Sequence, residues 1–199
     1  MSRCPVLKKP LLLLDRDGTL IEERPYISNP KWVKLLPGAA QGLIQLKRAG
    51  FKRVVVSNQS GIGRGIVTPA QLNQVNRRFL QRLKAKKAGV DGLYWCPHKP
   101  SARCSCRKPN LGMVKRASKD LGVSWKRSIS VGDKPSDVQL GQRTGGYGVL
   151  VLTGHGKTFR RRSGADYVAK DFKQAVAWIM KIGKDDHDGQ SKRKSRRTR

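Results

Sequence analysis

Residues 11–15 read LLLLD, an unbroken apolar run that stops at a carboxylate. Consecutive rather than alternating apolar positions fit a strand buried on both faces, the habit of parallel sheets covered by helices on either side. The pattern returns in FKRVVVS at 51–57, in SISV at 128–131 just before Gly132 and Asp133, and in YGVLVL at 147–152. A weaker run, LYW at 93–95, and a short one at 167–168 complete the predicted strands.

Helical patterns fill the gaps. Thr68 is a good N-cap, followed by Pro69 and by Gln71 three positions on. Leu72, Val75, Phe79 and Leu83 then form one stripe, with Gly89 as the expected stop. Further helices are predicted over 37–49, 112–121, 137–144 and 171–180. Strands alternating with helices imply right-handed crossovers and an α/β fold: a three-layer, Rossmann-like parallel sheet with helices on both faces and no large cap domain. A ligand site is then expected at the carboxyl ends of the strands. The length predicts one domain over 1–182, and residues 183–199 read as a basic, disordered tail because DGQSKRKSRRTR has no apolar residue.

Charge narrows the partners. The chain carries 43 Lys and Arg against 13 Asp and Glu, a formal net charge of +30. Only eight of the basic residues and three of the acidic ones lie between 181 and 199, so the excess belongs to the body. Such a balance favours an anionic partner, whether nucleic acid, a membrane surface or a phosphorylated metabolite. Acids are scarce, yet Asp15, Asp17, Asp133 and Asp137 all fall in short Gly-flanked segments. The leucine run is too short for a signal segment or a membrane span, which predicts a cytoplasmic protein with no membrane partner. With no apolar stripe left over, a monomer is expected.

Residues i and i+2 of an extended segment point the same way, so Asp15 and Asp17 can face one pocket, with Gly18 allowing a sharp turn after them. Like charges at short range persist only with a cation or a shared proton between them, and such oxygens suit Mg2+. Asp133 follows another predicted strand and can supply a further oxygen. Ser57 offers a hydroxyl at the end of a third, and Lys108, in CRKPN ahead of a helix, an ammonium. The set describes a phosphoryl-transfer site: a carboxylate nucleophile, a neighbouring acid and base, a metal, and donors for the transferred oxygens.

In that order and spacing, DRDGTL, SNQSG, CRKP and VGDKPSD resemble the four signature motifs of the haloacid dehalogenase superfamily of phosphatases. The resemblance implies Asp15 as the nucleophile that forms an aspartyl-phosphate and Asp17 as the acid and base. Ser57 and Lys108 would steady the phosphoryl oxygens. It also implies Mg2+ held by Asp15, the main-chain carbonyl of Asp17, and Asp133, with Asn58, Gln59, Ser60 and Lys134 lining the site.

CPHKPSARCSC places Cys96, His98, Cys104 and Cys106 within eleven residues, the donor set of a closed, structural Zn2+ site. Cys106 directly precedes Arg107 and Lys108, so a metal that fixes the loop also fixes the lysine; Cys4 stands apart. The insertion is similar to the zinc loops of small-capped phosphatases acting on D-glycero-D-manno-heptose 1,7-bisphosphate and of related histidinol-phosphate phosphatases. SNQSGIGRG, with Ser60-Gly61 and Arg64-Gly65 after Gln59, resembles the heptose branch. That likeness implies loss of the 7-phosphate from a phosphorylated sugar contacted by Glu23, Arg24, Tyr26 and Arg107.

Alternatives stay open. The histidinol-phosphate branch usually has an acidic residue where Ser60 stands. Polynucleotide 3′-phosphatases share the fold and a similar NQxGIGRG stretch, and a basic body attracts DNA through counterion release, but those enzymes are not expected to carry the zinc loop. A basic nucleic-acid-binding protein without chemistry is disfavoured because every motif is intact. KTFRRRSG at 157–164 and the tail are candidate places for weak nucleic-acid contact, while His155 and His187 read as exposed side chains.

Overall fold

The protein is described by a computed structural model over residues 10–182. Residues 1–9 with Cys4, and 183–199 with His187 and the basic tail, lie outside the described residues. Six strands, β1 (Leu12–Leu14), β2 (Arg53–Asn58), β3 (Gly92–Cys96), β4 (Ile129–Gly132), β5 (Tyr147–Val151) and β6 (Tyr167–Ala169), form one parallel sheet. Their order is β3-β2-β1-β4-β5-β6. The helices are α1 (Ala39–Arg48), α2 (Ser60–Gly63), α3 (Pro69–Ala85), α4 (Gly112–Leu121), α5 (Pro135–Arg143), α6 (Gly156–Phe159) and α7 (172–182). Among the described residues no helix is long and apolar enough to cross a membrane.

The leucine run takes the centre because it can be buried on both faces: Leu12, Leu13 and Leu14 are fully buried, with Leu13 in register with Val54 on one side and Ser130 on the other. Alternate residues feed two cores. Leu12, Leu14, Val55 and Val131 pack with Leu43 of α1, Phe79 of α3 and Phe172 of α7. Leu11, Leu13, Val54 and Val56 face the other way, onto Met113, Val114 and Ala117 of α4 and Leu140 of α5. Each buried aliphatic side chain of this kind stabilises the fold by about 1.5–3 kcal/mol, which locks the register of β1. The chain runs outward from β1 to β3 and then crosses to β4, so the order reverses between β1 and β4. At that switch point the ends of neighbouring strands leave a crevice for a ligand.

The short helices α2 and α6 have no counterpart in the sequence pattern and most predicted helix ends shift by one or two residues; two boundaries differ for identifiable reasons. α3 stops at Ala85, short of Gly89: Lys87 takes the left-handed conformation, φ 56°, and the Ala88 N–H closes onto Leu83 O at 2.9 Å. Ala88 and Val90 are packed against the core, which draws the chain back towards β3 before the glycine is reached. α5 begins at Pro135 rather than at Asp137, whose side chain accepts the Lys134 N–H at 3.1 Å and so caps the helix.

Candidate active site

Three strand ends deliver the buried groups. Asp15 follows β1, Ser57 lies near the end of β2, and Asp133 follows β4. Lys108, from the loop before α4, is the hub: its Nζ lies 2.7 Å from Asp15 Oδ1 and 2.6 Å from Asp137 Oδ1, and donates to Val56 O at 2.7 Å. Burial alone would lower its pKa, but the Asp137 and Asp15 carboxylates outweigh that and hold it above the ordinary lysine value. The group is an ammonium at any physiological pH.

One ammonium does not neutralise its surroundings. Carboxylate oxygens of Asp15, Asp133 and Asp137 all lie within 4.8 Å of one another. Burial, then the charge of Asp15, lifts Asp133 to about 6. Burial lifts Asp137 to about 7 against the pull of Lys108. Asp133 is fully buried; its Oδ2 accepts the His155 N–H at 2.8 Å, while Oδ1 has no hydrogen-bond partner among the described residues and Lys134 Nζ stands 3.5 Å away. A buried oxygen without a hydrogen bond, among acids reluctant to ionise, fits a hard divalent cation, which takes carboxylate oxygens and restores their charge. Gly18 and Gly154 make this crowding feasible, since a Cβ on either would stand 2.3 Å from Asp133 Oδ2.

Asp17 does not share that cluster's contacts. Its carboxylate receives Arg16, with Nη2 2.9 Å from Oδ2, and Gln59 Nε2 at 2.7 Å. The same Gln59 nitrogen reaches Ser57 Oγ at 2.8 Å, so Asp17, Gln59 and Ser57 form a chain beside the Asp15–Lys108 pair. Asn58 fastens the lysine's segment to β2: its Oδ1 accepts the Lys108 N–H at 3.0 Å and its Nδ2 donates to Lys108 O at 3.2 Å. Glu23 lies 3.4 Å from Lys134 Nζ and 3.5 Å from His155 Nε2. Ser60 opens α2, whose Gly61 lies against the Tyr26 ring. Arg24, Tyr26 and Arg107 make no hydrogen bond or ion pair with the buried cluster; Arg24 keeps its Nε buried and, among the described residues, without a hydrogen-bond partner.

Three residues of the site make contacts that a sequence reading does not give. Asp137 looks like a helix-start acid and is one, yet the same side chain also pairs with Lys108. Arg16 is 1% exposed, pinned between Asp17 and Asn76 sixty residues away, and only the scarcity of buried arginines could have drawn notice to it. His155 is exposed, as its sequence setting implies, but it faces Glu23.

The Cys/His loop closes on itself. Cys96 Sγ lies 3.2 Å from Cys106 Sγ and 3.6 Å from Cys104 Sγ, and His98 Nδ1 lies 3.2 Å from Cys106 Sγ. A tetrahedral zinc with ordinary bond lengths sets donor separations of about 3.6–3.8 Å, so the four groups suit that ion with slight expansion. Burial, then the neighbouring thiols, pushes Cys96 up to about 12, a proton that a metal would displace. The loop also joins the β2 end: Gln59 N–H bonds Cys96 O and Gly63 N–H bonds Pro97 O, each at 2.8 Å. Arg107 Nη1 donates to His98 O at 3.2 Å.

A parallel sheet with this strand order and an aspartate–lysine pair at its switch point define a phosphatase of the haloacid dehalogenase class, and a HAD-hydrolase-like family model matches residues 105–175. A D-glycero-D-manno-heptose-1,7-bisphosphate 7-phosphatase of Thermosynechococcus vestitus is 36% identical over 190 residues, covering 87% of this chain and 96% of that one. The D-glycero-beta-D-manno-heptose-1,7-bisphosphate 7-phosphatase of Escherichia coli K12 is 35% identical over 178 residues, covering 84% and 93%. Among solved structures, D,D-heptose 1,7-bisphosphate phosphatase from B. bronchiseptica, complexed with magnesium and phosphate, superposes with a TM-score of 0.79 at 29% identity over 87% of this chain and 99% of that one. The chain belongs to the D-glycero-D-manno-heptose-1,7-bisphosphate 7-phosphatase family.

Proposed function

We propose that the chain is a cytoplasmic, Mg2+-dependent phosphomonoesterase that removes the 7-phosphate of D-glycero-D-manno-heptose 1,7-bisphosphate through an aspartyl-phosphate. The observation that carries the chemistry is the buried Asp15–Lys108 contact at 2.7 Å beside Asp133. The kinship with heptose bisphosphate phosphatases supports the substrate.

Lys108 binds one oxygen of Asp15, which leaves the other to attack phosphorus. As that bond forms, the bond from phosphorus to the C7 oxygen breaks and Asp17 protonates the departing oxygen. Water then attacks the acyl phosphate and returns a proton to Asp17, and the phosphorus–Asp15 bond breaks to release inorganic phosphate. Ser57 and Lys134 hold the phosphoryl oxygens, Lys108, whose three N–H groups reach Asp15, Asp137 and Val56 O, steadies them by its charge, and Gln59, bonded to both Asp17 and Ser57, keeps proton carrier and phosphate ligand in register. Asp15, Asp133 and the Asp17 carbonyl would hold Mg2+, which when bound neutralises charge on the transferred group. Glu23, Arg24, Tyr26, Asn58, Ser60 and Arg107 contact the rest of the sugar phosphate. Cys96, His98, Cys104 and Cys106 would hold a structural Zn2+ that fixes Arg107 and Lys108.

The test is a phosphate-release panel with Mg2+: heptose bisphosphate in both anomers, histidinol phosphate, and a 3′-phosphorylated oligonucleotide. Fastest release from heptose bisphosphate is expected. Faster release from the oligonucleotide or from histidinol phosphate overturns the substrate.

A further inference from the structure

The loop after β5 approaches the site more closely than its exposure implies. Thr153 Oγ1 donates to Gly18 O at 2.6 Å, tying this loop to the turn after the nucleophile's strand. The His155 main-chain N–H caps Asp133 at 2.8 Å, and Gly156 N–H bonds back to Thr153 O at 2.9 Å. The backbone of His155 is therefore fixed to the site, and its imidazole extends from it so that Nε2 lies 3.5 Å from Glu23 Oε1. Lys134 holds the other Glu23 oxygen at 3.4 Å. Glu23 stands within electrostatic reach of both Asp17 and Asp15.

A carboxylate so placed is a poor neighbour for a phosphate, because like charges repel. It is a good acceptor for the hydroxyls of a polyol chain whose reacting phosphate is already held elsewhere. We propose that His155 is a positioning residue for substrate recognition: together with Lys134 it orients the Glu23 carboxylate so that it accepts hydroxyl groups of the sugar next to the reacting phosphate. The proposal rests on the sugar-phosphatase reading above and assigns a specificity role to a residue outside the four motifs. Loss of the imidazole lets Glu23 swing towards Lys134 and water, which weakens sugar binding while leaving the phosphoryl machinery in place.

Steady-state kinetics with Mg2+ on two substrates tests this: heptose bisphosphate, and p-nitrophenyl phosphate, which has no hydroxyls to recognise. His155→Ala is expected to raise KM for heptose bisphosphate about fivefold, the equivalent of about 1 kcal/mol for one solvent-exposed polar contact, with kcat changing less than KM. The preference for heptose bisphosphate over p-nitrophenyl phosphate, as a ratio of kcat/KM, falls by a similar factor. His155→Gln, which can still present an N–H to Glu23, recovers most of the loss. Glu23→Gln matches His155→Ala, and the double variant is no worse than the poorer single, since the two act through one contact. An unshifted KM, an equal loss on both substrates, or multiplying effects in the double variant overturns the inference alone. A parent enzyme active on p-nitrophenyl phosphate but not on heptose bisphosphate overturns the functional reading and this inference with it.

Discussion

Replacing Lys108 with methionine keeps most of the side chain's length and its burial while deleting the charge at the centre of the site. At an effective dielectric of about 20, charges 2.6–2.7 Å apart attract by about 6 kcal/mol, and Lys108 makes two such contacts, to Asp15 and Asp137. Against this stands the cost of keeping an ammonium out of water, several kcal/mol for a side chain 2% exposed. The balance expected for removing one partner of a buried ion pair is a loss of about 3–5 kcal/mol, because the carboxylates left behind are uncompensated. For a chain of this length that corresponds to a fall in Tm of roughly 10 °C. The measurement is thermal unfolding of parent and Lys108→Met in a chelator, repeated with excess Mg2+, alongside Lys108→Met/Asp137→Asn. The double variant, which removes one of the stranded charges, should recover about half of the loss, and Mg2+ should narrow the gap between parent and single variant. A single variant that melts with the parent in chelator would refute the reasoning. So would a double variant less stable than the single one, since both outcomes require the cluster to be indifferent to its own charge.

Three other outcomes follow from the same geometry. Asp15→Asn should abolish phosphate release, a loss of several decades in kcat, with unchanged circular dichroism; retained turnover would exclude a covalent intermediate on Asp15. The purified protein should contain about one zinc per chain, and Cys104→Ser should lose it together with thermal stability, as elemental analysis and a melting curve would report. Asp133 is raised to about 6 and Asp137 likewise upwards, so the metal-free fold binds protons that the unfolded chain, with ordinary carboxylates, has released. Its stability should therefore fall as pH rises from about 4 through about 7, while the Tm gain from Mg2+ grows over that window; a gain independent of pH would count against Asp133 as a ligand.

Much of the architecture was legible because parallel strands write themselves plainly. LLLL, RVVV and VLV must be buried on both faces, and each strand end carrying chemistry is marked by a polar residue after an apolar run. The helix stripe from Leu72 to Leu83 was equally plain, but its stop was not. Gly89 looked the better terminator, and the chain turned at Lys87 because Ala88 and Val90 had core contacts to make. The existence of the long elements is a local property; the four-residue helices α2 and α6 and the element ends are not written in the local pattern.

The same division runs through the site. Spacing alone placed Asp15, Asp133, Ser57 and Lys108 at strand ends or before a helix, and the fold converges them. Spacing also put Asp15 and Asp17 on one side of an extended segment, and there it ran out. Arg16, the residue between them, is buried and takes Asp17 into its own ion pair, while Lys108 takes Asp15. A period of two fixes which side a carboxylate leaves the backbone, but not which cation reaches it first. Asp137 was hidden for a related reason: capping α5 accounts fully for an aspartate at that position, so the sequence offers no surplus signal for its second contact with Lys108. Residues that satisfy a local rule and a distant partner at once are those a linear reading misses, and at this site they include the acids and bases that set its charge.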